Sequence, residues 1–220
     1  MIVATQKPVE EIREALAGCQ NVLALGCGGC VTVCLAGGAR EVAVLSSVLR
    51  LGCRIKVEEE TIERQCDAEF FDAIREKAAA CDAILSLACG VGVQMAARLF
   101  PDKPVYPALN TVFMGTNDGA GQWSENCLAC GDCKLGVFGG ICPVARCSKS
   151  LLNGPCGGSA NGMCEVDPKR IECAWQLAHD RLKALGRLKV LDEIAAPRDW
   201  SKTHSGGPRM ISREDMADLR

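Results

Sequence analysis

Asn21-Val22-Leu23-Ala24-Leu25-Gly26-Cys27-Gly28-Gly29-Cys30-Val31-Thr32-Val33-Cys34 decides how the rest of the chain is read. Asn21–Leu25 is a short apolar run that stops at glycine, the pattern of a strand covered on both faces. Gly26–Gly29 is then a loop, and Val31–Ala36 can begin a helix. The 19 uncharged residues from Asn21 to Ala39 resemble a membrane span only in mean hydropathy, because the glycines break any helix there.

Outward from this stretch, strands and helices alternate. Pro8–Ala17 has helical spacing, with Val9, Ile12 and Leu16 on one face. Glu41–Leu49 continues as helix, Arg54–Val57 reads as a second strand, and Ala68–Ala80 as an amphipathic helix. Asp82–Leu87 is a third strand, Val93–Phe100 a helix and Pro104–Leu109 a short fourth strand. The alternation predicts an α/β fold with a Rossmann-like, mostly parallel sheet over residues 1–114. From Gly115 the periodicity fades and Gly and Cys become frequent, which predicts a small cysteine-rich domain over residues 115–190, ending in a helix at Ile171–Leu188. Residues 191–220 are polar and read as an extended C-terminal arm for partner docking, with Trp200 and Met210 as apolar anchors.

Sixteen cysteines in 220 residues set the chemistry. The N-terminus lacks a basic start followed by an apolar run, so it does not read as a signal peptide, and a cytoplasmic, reducing location is expected. Clustered thiols there bind metal or do redox work rather than form disulfides. A net charge of −2 without a basic block excludes a nucleic-acid footprint, and no membrane span is expected. Cys19, Cys53 and Cys81 stand alone and read as structural thiols. His179 and His204 are isolated and read as surface residues, and Glu58-Glu59-Glu60 as a solvated charge run.

The first constellation is Cys27, Cys30 and Cys34, with Cys66 after the second strand and Cys89 in the loop after the third. Loops leaving the carboxyl ends of parallel strands converge on one edge, so these thiols can meet. A [4Fe–4S] cluster needs four of them, and Cys34 and Cys66 compete for the place beside Cys27, Cys30 and Cys89. The glycines do not spell a dinucleotide loop, because position 31 is Val where G-x-G-x-x-G requires Gly. The second constellation is Cys127, Cys130, Cys133, Cys142, Cys147, Cys156, Cys164 and Cys173. Two-residue gaps followed by Cys142-Pro143 are ferredoxin-like, and eight thiols suffice for two sites. Zinc competes for them, because it also accepts four thiolates. At least two [4Fe–4S] clusters are expected, with zinc as the rival metal in the second half. No Ser/His/Asp set or carboxylate pair stands out, so no catalytic residue is assigned.

The ordered blocks Gly26–Cys34, Ala88–Gln94, Val105–Thr111, Asn126–Cys133, Gly140–Pro143, Leu151–Gly158 and Cys164–Pro168 resemble the small-subunit (MetV) family of the two-subunit methylenetetrahydrofolate reductases of anaerobic bacteria, including its cysteine-rich C-terminal region. The resemblance spans roughly residues 5–190, and Leu151-Leu152-Asn153-Gly154-Pro155-Cys156-Gly157-Gly158 is its most specific block. It implies an iron–sulfur electron-transfer subunit, not a catalyst by itself, that relays electrons to the FMN of a MetF-type flavoprotein. That partner would reduce methylenetetrahydrofolate to methyltetrahydrofolate, with ferredoxin or a larger complex as electron donor. The C-terminal domain and arm are expected to contact the flavoprotein. Two rival readings are a zinc-stapled adaptor and a free-standing enzyme working at its N-terminal cluster edge.

Overall fold

The computed structural model describes residues 1–213; the end of the expected docking arm, residues 214–220, lies outside the described residues. The chain divides into two units, Met1–Ser124 and a second beginning at Glu125, so the boundary falls later than the change of composition at Gly115.

The first unit contains β1 (Ile2–Gln6), α1 (Val9–Ala15), β2 (Asn21–Cys27), α2 (Cys30–Val33), α3 (Ala39–Cys53) and β3 (Lys56–Ile62). A 3₁₀ segment (Ala68–Ile74) runs into α4 (Arg75–Ala79), followed by β4 (Ala83–Leu87), α5 (Gly90–Leu99), β5 (Val105–Pro107) and β6 (Leu109–Gly119); β7 (Gln122–Cys127) begins in this unit and runs past its last residue, Ser124. Four strands form a parallel sheet in the order β3-β2-β4-β5, as the alternation predicts. β2 shows why its sequence has no polar alternation. Val22 and Ala24 belong to one apolar cluster with Val42, Leu45 and Leu49 of α3, while Leu23 and Leu25 belong to another with Phe71, Ile74 and Ala96. Successive side chains point to opposite faces, and both faces are covered.

Three features differ from expectation. The Ala68–Ala80 helix begins as 3₁₀, whose three-residue turn stacks Phe71 directly over Ile74 and buries both. The charge run Glu58–Glu60 lies inside β3, an edge strand, where it pairs with Lys56, Arg50 and Lys77. A second sheet, antiparallel in the order β1-β6-β7, has no counterpart in the sequence reading. Its strands are largely half-buried or exposed, so they lack the apolar runs that mark the parallel sheet.

The second unit has little regular structure: α6 (Pro143–Arg146), α7 (Ala174–Ala184) and short 3₁₀ turns at Leu188–Asp192, Trp200–Lys202 and His204–Gly206. Its apolar centre is small and consists of Phe138, Cys173, Trp175 and Ala178, with Phe138 edge-on to Trp175 at 5.2 Å. The Trp175 indole N–H donates to the Leu151 carbonyl at 3.1 Å. At Ala195 the arm is tied to this unit: Asn153 exchanges two hydrogen bonds with the Ala195 backbone, at 2.7 and 3.1 Å. Among the described residues no helix is long and apolar enough to cross a membrane.

Candidate metal centres

In the first unit, β2 delivers Cys27 at its carboxyl end, opposite Ile62, the last residue of β3. Gly26 pairs with Leu87 at the end of β4, so the loops that follow all three strands leave from one edge. Cys66 follows β3 in one of these loops. Cys89 is the N-cap of α5, and Cys30 is the first residue of α2. Burial pushes the Cys27 thiol up, while the backbone N–H groups of Gln65 and Gly29 act the other way and the nearby Cys89 and Cys66 thiols add repulsion. Cys27, Cys66 and Cys89 thus all stand in the loops at the edge where β2, β3 and β4 end. Cys34 is engaged elsewhere. Its buried sulfur accepts the Ala4 N–H at 3.5 Å and lies 3.6 Å from the carbonyl oxygens of Ala4 and Val31, tying α2 to β1.

The edge is held by a polar chain that carries no charge. Fully buried Gln65 donates to the Leu25 carbonyl at 2.7 Å and accepts from the Ser86 hydroxyl at 2.7 Å. Gln65 precedes Cys66, so this bridge between β2 and β4 also fixes where the Cys66 loop begins. Gly37 lies so close to the Leu87 carbonyl oxygen that no side chain fits there. Its own carbonyl accepts the Cys27 N–H at 3.0 Å.

In the second unit, Cys127, Cys130, Cys133 and Cys142 border one cavity of about 220 Å³, whose wall is otherwise mostly apolar and includes Leu135 and Val144. The Ala129 N–H donates to Cys127 Sγ at 3.4 Å. Ala129 and Gly131 have left-handed backbones, φ 49° and 78°, which fold the Cys-x-x-Cys-x-x-Cys loop around the cavity. Cys142 caps α6, with Pro143 as its first residue. Arg198 of the arm completes the wall; sequence reasoning missed it, because a single arginine in a polar run carries no signal.

The remaining four thiols form a different setting. Cys147 and Cys173 pack into or against the Phe138–Trp175 cluster. Cys164 lies 3.5 Å from the Ser148 hydroxyl. That hydroxyl first, and then backbone N–H groups including those of Val166 and Asp167, hold the Cys164 thiol below its usual range. Cys164 N–H bonds to the Ile171 carbonyl at 2.8 Å and Cys173 N–H to the Gly162 carbonyl at 2.7 Å, drawing the two stretches together. Gly158, two residues past Cys156, packs against the Glu165 side chain, which brings in the Cys156 loop.

All sixteen cysteines are free thiols. Among the described residues no group of three or more Cys, His, Asp or Glu side chains forms a closed ligand set around a single ion. The donor chemistry fits a thiolate-bound centre: four sulfurs border one largely apolar cavity, and backbone N–H groups already point at Cys27, Cys127 and Cys164. His179 pairs with Asp180 at 3.0 Å.

Residues 106–201 match the family described as methylene-tetrahydrofolate reductase C terminal, and over that range the chain is similar to that domain. The matched segment contains all eight cysteines of the second unit and Arg198. No curated protein and no solved structure matches the chain.

Proposed function

We propose that this chain is the iron–sulfur subunit of a methylenetetrahydrofolate reductase and relays electrons to the FMN of a MetF-type flavoprotein partner. The observation that carries the reading is the shared cavity of Cys127, Cys130, Cys133 and Cys142, inside a segment similar to a domain of that enzyme. These four cysteines would hold one [4Fe–4S] centre. Cys27, Cys30, Cys66 and Cys89 would hold another, with Cys34 retained by β1.

A bound [4Fe–4S] centre supplies one-electron transfer. The protein's own part is to fix the thiolates, to donate N–H groups to their sulfurs and to keep the cavity wall apolar, since hydrogen bonding and solvent access tune such sites. Reducing the folate takes two electrons, and pairing them belongs to the partner's flavin. Ferredoxin or a larger donor complex would supply them.

The zinc-adaptor reading keeps a foothold at Cys147, Cys156, Cys164 and Cys173, because two of these thiols belong to the small apolar cluster that a metal there would staple. Metal and sulfide content of anaerobically purified protein, with its visible spectrum, tests both readings. A brown protein with about eight or more irons per chain supports the proposal, each cubane centre carrying four. A colourless protein with zinc alone overturns it. In the double variant Cys130→Ser/Cys133→Ser, iron content should fall by about four per chain.

A further inference from the structure

Among the described residues Arg198 is the one guanidinium in the wall of the Cys127/Cys130/Cys133/Cys142 cavity. One of its terminal nitrogens donates to the Asp132 carbonyl at 2.8 Å and to the Cys130 carbonyl at 3.4 Å. The Trp200 ring lies 5.4 Å from the guanidinium carbon and covers another side. The Arg198 Nε is buried and has no hydrogen-bond partner. Arg209 adds a second tie from the arm to the same loop, to the Ala129 carbonyl at 3.2 Å. Gly131 is pressed against the Lys202 carbonyl oxygen, so the arm and the cysteine loop pack without room for a side chain.

An arginine stays charged at any pH that the fold tolerates. A buried N–H donor without an acceptor is costly. The partners given above are neutral carbonyls and an aromatic ring. The carboxylate of the loop, Asp132, pairs with Lys134 at 3.2 Å. What the cavity would offer this guanidinium is the negative charge of four thiolates around a metal centre.

We propose that Arg198 is the positioning residue that sets the charge balance of this centre, its free Nε–H donating to a thiolate or sulfide sulfur. The inference rests on the iron–sulfur reading above. A fixed cation beside the centre favours its reduced, more negative state, so Arg198 raises the reduction potential.

The test is a redox titration of the full-length, anaerobically purified protein with dithionite and mediator dyes, followed by electron paramagnetic resonance. The signal absent from Cys133→Ser identifies the centre. In Arg198→Gln, with iron and sulfide at wild-type levels, the midpoint should fall by about 59 mV or more, a tenfold change for a one-electron couple. Arg198→Lys, which keeps the charge but not the fork, should fall between the two. An unmoved midpoint in Arg198→Gln with full iron content overturns the inference alone. Equal loss of iron from Arg198→Gln and Arg198→Lys also overturns it, leaving a purely structural tie between arm and loop. A zinc-only wild-type protein overturns the iron–sulfur reading and this inference together.

Discussion

Gln65 is a buried polar residue whose removal has a calculable cost. Gln65→Leu would leave the Leu25 carbonyl and the Ser86 hydroxyl buried without their partners. Each orphaned group costs about 1–3 kcal/mol, so a clear drop in the urea midpoint is expected, with the parallel sheet the affected part. An unchanged midpoint would mean that the bridge contributes nothing net. Asp82 makes a pH-dependent contribution of the opposite kind. Its carboxylate accepts the backbone N–H groups of Asn21 and Gln20, at 2.8 and 2.7 Å, and these donors hold its pKa below the usual range. A group whose pKa is lowered on folding stabilises the fold above its unfolded pKa, about 3.9, and loses that contribution as pH falls through the folded value. The Tm gap between wild type and Asp82→Asn should therefore be open near neutral pH and close below about pH 4. Thermal scans across that range check it, and a gap that widens on acidification would contradict the assignment.

The loops at the ends of β2 and β4 are where single residues control whole elements. Gly37→Ala would drive a methyl group into the Leu87 carbonyl oxygen and against Leu109, so β4 and the Gly37 loop must separate. Overpacking of this kind costs about 1–3 kcal/mol. Because Gly37 also accepts the Cys27 N–H, the variant should lose iron from the first unit as well as stability. Retained iron with lowered stability would separate the packing role from the ligand-positioning one. The outer strand β3 carries Glu58–Glu60, paired with basic neighbours on the surface. Such pairs add little stability, but charge on an edge strand discourages pairing with another chain.

At the scale of the whole molecule the two units are stabilised differently. The first has apolar clusters on both faces of its sheet, and these do not need metal. The second buries a small set, Phe138, Cys173, Trp175 and Ala178 in one cluster with Val144, Cys164, Ala174 and Leu182 besides, too little apolar surface to offset the chain entropy of such an irregular segment. Removing metal with a chelator under reducing conditions should therefore open residues 125–187, read as faster amide exchange, while β2 and β4 stay protected. Equal protection with and without metal would show that the second unit folds on its own contacts.

The sequence by itself determined the parallel sheet, because Val22–Leu25 and Ala83–Leu85 are continuous apolar runs, the pattern of strands covered on both faces. It also determined which thiols could gather, since Cys27 and Cys89 follow strands whose carboxyl ends share one edge, and the spacing of Cys127, Cys130 and Cys133 implies one loop. Tertiary structure decided the rest. The antiparallel sheet of β1, β6 and β7 is held by backbone pairing between segments distant in sequence, which leaves no periodic apolar trace. Cys34 looked equivalent to Cys66, but only the fold turns its sulfur toward β1. The arm reads as an extended segment for partner docking, yet Asn153 bonds to its Ala195 backbone, and its own Arg198 and Arg209 donate to backbone carbonyls of the cysteine loop. Those groups are the same in every residue, so the sequence cannot encode where such an arm will lie.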